Sequence, residues 1–85
     1  MNYRVVWDYD AVDALQRIYD ASRDQEGLAN TVTRIGIELG LNPTQAGESR
    51  DIGKRILFKH PLVIWFRIDD RMKEVVVTNV RALRR

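Results

Sequence analysis

Residues 54–82 read KRILFKHPLVIWFRIDDRMKEVVVTNVRA, and this stretch decides the fold. A strand pattern begins at Lys54 and runs to Lys59. His60-Pro61 marks a turn. Leu62 to Asp69 is an almost unbroken apolar run interrupted by Arg67, the signature of a central strand buried on much of both faces. Asp69-Asp70-Arg71 has the chemistry of a hairpin turn. Met72 to about Ala82 reads as the last strand, with Val75, Val76, Val77 and Val80 inside it. Three consecutive strands joined by short turns predict an antiparallel meander. Adjacent Trp65 and Phe66 must point to opposite faces. One belongs to the core; the other falls on the open face, where it suits stacking on a base or packing against a partner helix.

Working outward, Tyr3 to Trp7 is rich in β-branched and aromatic residues and reads as a first strand. Trp7 reads as core or edge covering. Asp8 fits an N-cap, with Asp10 in the first helical turn. Ala11, Ala14, Leu15 and Ile18 then line one face of a helix. After the polar break Ser22-Arg23-Asp24-Gln25, a second helix from about Glu26 to Leu39 carries the stripe Leu28, Val32, Ile35 and Leu39. Gly36, beside the stripe, is expected to admit another backbone closely. Gly40-Leu41 predicts a Schellman ending, and Pro43 forbids continuation. Asn42 to Gly53 reads as a polar loop. The predicted order is β-α-α-β-β-β: an α+β domain with a two-helix hairpin on one face of a small, mainly antiparallel four-stranded sheet. The first strand pairs with a sheet edge, because neither layer can bury its apolar side alone.

All 85 residues form one domain in this reading, without repeats or low-complexity tracts. No cysteine is present, which excludes disulfides, thiolate metal sites and a cysteine nucleophile and fits a reducing cytoplasm. Neither a signal peptide nor a membrane span is expected. Nothing calls for a metal or another cofactor. The net charge of +2 is unevenly divided. Residues 1–49 hold four bases against eight acids, whereas residues 50–85 hold ten bases against four acids. A basic second half suits an anionic partner, either nucleic acid or an acidic protein segment.

The ordered set of motifs resembles the RelE/ParE toxin superfamily along nearly the whole chain. It comprises Val5-Val6-Trp7 leading into the helix of Ala11, Ala14 and Leu15, and then Leu39-Gly40-Leu41-Asn42-Pro43. Gly47-Glu48-Ser49-Arg50, Arg55-Ile56-Leu57 and the run Pro61 to Asp69 follow. The resemblance implies a growth-arresting toxin neutralised by a cognate antitoxin, alone as a homodimer or in a toxin–antitoxin hetero-oligomer. In different branches of the superfamily the target is translated messenger RNA on the ribosome or DNA gyrase.

Metal-free RNA cleavage requires activation of the 2′-hydroxyl, protonation of the leaving oxygen and stabilisation of charge at phosphorus. RelE-like nucleases are similar in placing bases on the second and third strands, and an arginine and a late tyrosine near the C-terminus. Arg55, with Lys54, matches the second-strand position. Leu62 and Val63 stand where a third-strand base would be, with Arg67 further along as a substitute. Arg81, Arg84 and Arg85 supply C-terminal charge, but Tyr3, Tyr9 and Tyr19 all lie in the first quarter. His60, the single histidine, reads as a solvated turn residue. Arg55, Arg67 and Arg81 are therefore the candidate catalytic residues. Arg50, Lys54, Lys59, Arg84 and Arg85 are candidates for binding nucleic acid or another target. Without the third-strand base and the late tyrosine, the expected activity is ParE-like or catalytically degenerate. The alternatives are a ribosome-dependent endonuclease and a non-toxic binding module derived from a toxin.

Overall fold

A computed structural model describes residues 2–51 and 53–83. Its elements are β1 (Arg4–Trp7), α1 (Tyr9–Ala21), α2 (Gln25–Leu41), α3 (Pro43–Ala46), β2 (Glu48–Asp51), β3 (Lys54–Lys59), β4 (Leu62–Asp69) and β5 (Glu74–Ala82). The strands form one sheet in the order β1-β5-β4-β3-β2. β2 to β5 are antiparallel neighbours, and β1 joins β5 in parallel. The α+β class and the helix hairpin on one sheet face are those predicted. The sheet has five described strands rather than four, because the expected loop 42–53 contains α3 and β2.

The local signals explain most boundaries. The Asp8 carboxylate accepts the Ala11 N–H at 3.0 Å and caps α1. The Asp24 carboxylate accepts the Gly27 N–H at 2.9 Å and caps α2. At the hairpin after β4, Asp69 accepts the Met72 N–H and Lys73 takes φ 51°, so β5 starts at Glu74 rather than Met72.

Two glycine expectations are corrected. α2 runs through Gly40 to Leu41, and Asn42 ends it with φ −141°, so no Schellman turn forms. The Gly40 carbonyl instead accepts the Tyr3 N–H at 2.7 Å, so β1 satisfies a group that a left-handed ending would have served. A Cβ at Gly36 would meet nothing within 4 Å, whereas one at Gly40 would lie 3.5 Å from the Tyr3 carbonyl oxygen. The close backbone approach is therefore at Gly40. Pro43 does stop α2, and then occupies the first turn of α3.

Gly47 explains how the chain enters β2. A Cβ there would stand 2.7 Å from the Ile56 carbonyl oxygen and 2.8 Å from the Phe66 ring. Only a residue without a side chain lets the backbone cross so close to β3 and β4 before pairing with β3.

Register divides the sheet's two faces. On β4, Leu62, Ile64 and Phe66 face the helices and join Leu57, Val75, Val77 and Val80 in the core. Ala11 of α1 and Leu28, Ile35 and Leu39 of α2 close that core from above. Val5 and Trp7 pack against it from β1. Val63 and Val76 are also buried but lie in the opposite register, shielded by neighbouring side chains of the sheet, so β4 is buried on its second face at Val63 and exposed there at Arg67. Phe66 is 1% exposed and is the aromatic of the pair that belongs to the core; Trp65 takes the other face.

Candidate interaction face

The helices leave one sheet face uncovered. Strand alternation puts Lys54, Ile56 and Phe58 of β3, Trp65 and Arg67 of β4, and Asn79 and Arg81 of β5 on that face. At its centre Ile56, Val63 and Val76 are buried beneath their neighbours, while Phe58 remains 51% exposed. Lys54, Arg67 and Arg81 supply its positive charge. Glu74 is held in an ion pair by Arg4.

A bulge shapes the face. Pairing shifts between Trp65 and Phe66, so Thr78 is an extra residue in β5. Its hydroxyl donates to the Trp65 carbonyl at 3.3 Å, and Asn79 presents its carboxamide beside the bulge. The result is an open depression of about 340 Å³ lined by Lys54, Trp65, Phe66, Arg67, Thr78 and Asn79. The Arg81 guanidinium lies 6.0 Å from the Trp65 ring centroid, a cation–π distance, and so steadies one wall of the face. Thr78 and Asn79 did not emerge from the sequence as site residues. The signal available was a polar pair inside a valine-rich strand.

Register separates the sequence candidates. Arg67 and Arg81 share the open face with Lys54. Arg55 and Lys59 alternate to the helix side, where their heads are engaged. The Arg55 guanidinium donates to the carbonyls of Thr44 and Gly47, the latter at 2.8 Å, and ties α3 and the entry to β2 onto β3. Lys59 forms an ion pair with Glu38 of α2. Arg50 falls within β2, and its side chain, like all of Arg84 and Arg85, lies outside the described part. His60 is exposed in the turn before β4, joined to Pro61 by a cis peptide. Among the described residues, no tyrosine or histidine stands on the open face. Tyr3 packs against the helix-side core, and Tyr9 and Tyr19 are on α1.

Tyr3 locks the far corner of the sheet. Its hydroxyl donates to Asp70 at 2.7 Å, and the Lys73 ammonium lies 5.2 Å from its ring centroid. The hydrogen bond to Asp70, followed by desolvation and the carboxylate's charge, raises the phenol above its ordinary 10.0.

Known structures from RelE and ParE toxin–antitoxin systems share this fold over nearly the whole chain. A chain of the RelBE2 toxin–antitoxin complex from Mycobacterium tuberculosis is 22% identical, with a TM-score of 0.78, over 96% of this chain and 99% of that one. A chain of the chromosomal ParDE system from P. aeruginosa is 22% identical, with a TM-score of 0.73, over 96% of this chain and 97% of that one. The isolated E. coli RelE toxin is 16% identical, with a TM-score of 0.66, over 98% of this chain and 86% of that one. No family model matches the chain, and no curated protein matches it by sequence. Among the described residues, no helix is long and apolar enough to cross a membrane.

Proposed function

We propose that this chain is the toxin of a type II toxin–antitoxin module, growth-inhibiting when free and held inactive in the cytoplasm by a cognate antitoxin. The observation that carries the reading is full-length agreement in fold with chains from toxin–antitoxin systems, at nearly equal length. The open face adds physical support. It combines an apolar centre with three cations, a surface suited to an acidic partner that also brings apolar side chains.

Its own activity is ParE-like, directed at DNA gyrase, or catalytically degenerate. Arg67 and Arg81 remain available on the open face with Lys54, and they contact the target. Arg55 acts as a brace, since its guanidinium serves the Thr44 and Gly47 carbonyls. The three cations suit an anionic target, but no phenol or imidazole stands beside them among the described residues to move a proton.

Controlled expression in bacteria tests the proposal. Induction of the chain alone arrests growth, and co-expression of the short reading frame beside its gene restores it. Unimpaired growth would refute the toxin reading and leave a binding module. An SOS response with intact transcripts supports the gyrase-directed form. Abundant transcript cuts at ribosome-occupied codons would overturn it in favour of a messenger-RNA endonuclease using Arg67 and Arg81.

A further inference from the structure

Gly36 weakens α2 without serving the chain's own packing. Glycine is a poor residue for a helix interior, and a Cβ at this position would meet nothing within 4 Å. Beside it Ile37 is 58% exposed and Leu41 53% exposed. With Asn2, Tyr3 and Gly40, these residues line an open depression of about 260 Å³. Ala29, Thr33, Ile37 and Leu41 follow one another at four-residue steps, and all four are exposed. Leu28, Ile35 and Leu39 bury the opposite side of the helix in the core. α2 therefore has a second stripe, apolar at Ala29, Ile37 and Leu41, that faces away from the sheet.

The charges along this stripe are self-complementary. Arg34 is exposed, and no ion pair holds it among the described residues. Glu38, one turn further on, gives one carboxylate oxygen to Lys59, and its second oxygen can accept from another cation. A base and an acid one turn apart match the same helix run in reverse. With two copies of α2 antiparallel and a two-fold axis between Gly36 and Ile37, Ile37 lies over Gly36 of the second copy and Thr33 over its Gly40. Arg34 then comes beside Glu38 of the second copy, and the two-fold repeats each contact. Steps of three and four residues, as from Thr33 to Gly36 to Gly40, are those of nearly antiparallel helix packing. A parallel arrangement would set Arg34 against Arg34 and Ile37 against Ile37, leaving the glycine notch empty. A partner segment of one sign would satisfy one of the two charges and repel the other.

We infer that the outer face of α2, from Ala29 to Leu41, is a contact surface between two copies of this chain, with Ile37 of each seated in the Gly36 notch of the other. The helix layers meet, so the open sheet face of each copy points outward and stays free. A single helix pair covers less than the roughly 800 Å² per partner of a standard stable interface, so the pairing is reversible and concentration-dependent. It does not depend on what the open face acts on.

Sedimentation equilibrium of the unaltered chain over about 1–500 µM should show monomer and dimer in exchange, with the dimer weakened by salt. Gly36→Leu fills the notch with a better helix residue. It should weaken pairing at least tenfold while the thermal midpoint holds or rises. Arg34→Glu brings carboxylates together at both ends of the contact and should weaken pairing about tenfold with the midpoint unchanged. Phe58→Ser, on the open sheet face, should leave pairing as it is. The inference is overturned if the chain stays monomeric throughout that range, or if Gly36→Leu dimerises as tightly as the unaltered chain. Loss of the dimer in Phe58→Ser but not in Arg34→Glu overturns it as well.

Discussion

Replacing Arg55 by alanine separates a brace from a catalytic arginine. The guanidinium donates to the Gly47 carbonyl, which is partly buried, and to the Thr44 carbonyl, which is exposed. Charged hydrogen bonds are worth about 1.5–3 kcal/mol, and water replaces a lost bond more readily at an exposed acceptor. The Gly47 bond then contributes about 2 kcal/mol and the Thr44 bond about 1 kcal/mol. Against this, the buried Arg55 Nε has no partner, and removing it relieves up to about 1 kcal/mol of desolvation. The net loss is about 2–3 kcal/mol, which at 4–8 °C per kcal/mol for a domain of this size lowers the thermal midpoint by roughly 10–20 °C. Arg67→Ala is the control: its exposed side chain has no such engagement, and the cost stays within about 0.5 kcal/mol. Circular dichroism melts of both variants, beside growth assays, give the readout. Arg55→Ala should lose toxicity through a loosened fold, whereas Arg67→Ala should lose it with the melt unchanged. A midpoint for Arg55→Ala within about 2 °C of the unaltered chain, with toxicity abolished, would falsify the brace and return Arg55 to the chemistry.

Gly47→Ala forces a methyl group against the Ile56 carbonyl and the Phe66 ring, and backbone cannot yield as a flexible side chain would. It should cost about 1–3 kcal/mol in urea unfolding, and a neutral result would show that β2 does not cross β3 so closely. Arg81→Ala removes the cation over Trp65, so collisional quenching of tryptophan fluorescence should rise at constant stability; unchanged quenching would contradict the stacked arrangement. Tyr3 makes alkaline stability pH-dependent. Its neutral phenol is favoured in the folded chain, so its contribution is whole below the unfolded value of 10.0 and is lost as pH rises through the higher folded value. Absorbance titration should show a phenolate step above the ordinary tyrosine range that disappears in Tyr3→Phe and moves down in Asp70→Asn.

The sequence by itself determined the layers. Alternating and unbroken apolar runs fixed β3 and β4, and the Asp8 cap signal with the two helical stripes fixed the hairpin, because local periodicity and capping act over a few residues; the Asp24 cap of α2 emerged only in the structure. It also placed one aromatic of the Trp65–Phe66 pair on each face, which follows from strand geometry alone. Tertiary structure decided what those signals could not reach. β2 and α3 form in a segment with no apolar pattern, held by Gly47 lying against Phe66 and by the Arg55 brace across 11 and 8 residues of chain. The ending of α2 depended on a hydrogen bond from Tyr3, remote in sequence. The sequence favoured Arg55 and offered Arg67 as a substitute, but register sent Arg55 to the helix side and Arg67 and Arg81 to the open face. Pairing between distant strands sets that division, since a shift of one residue reverses the face of every side chain.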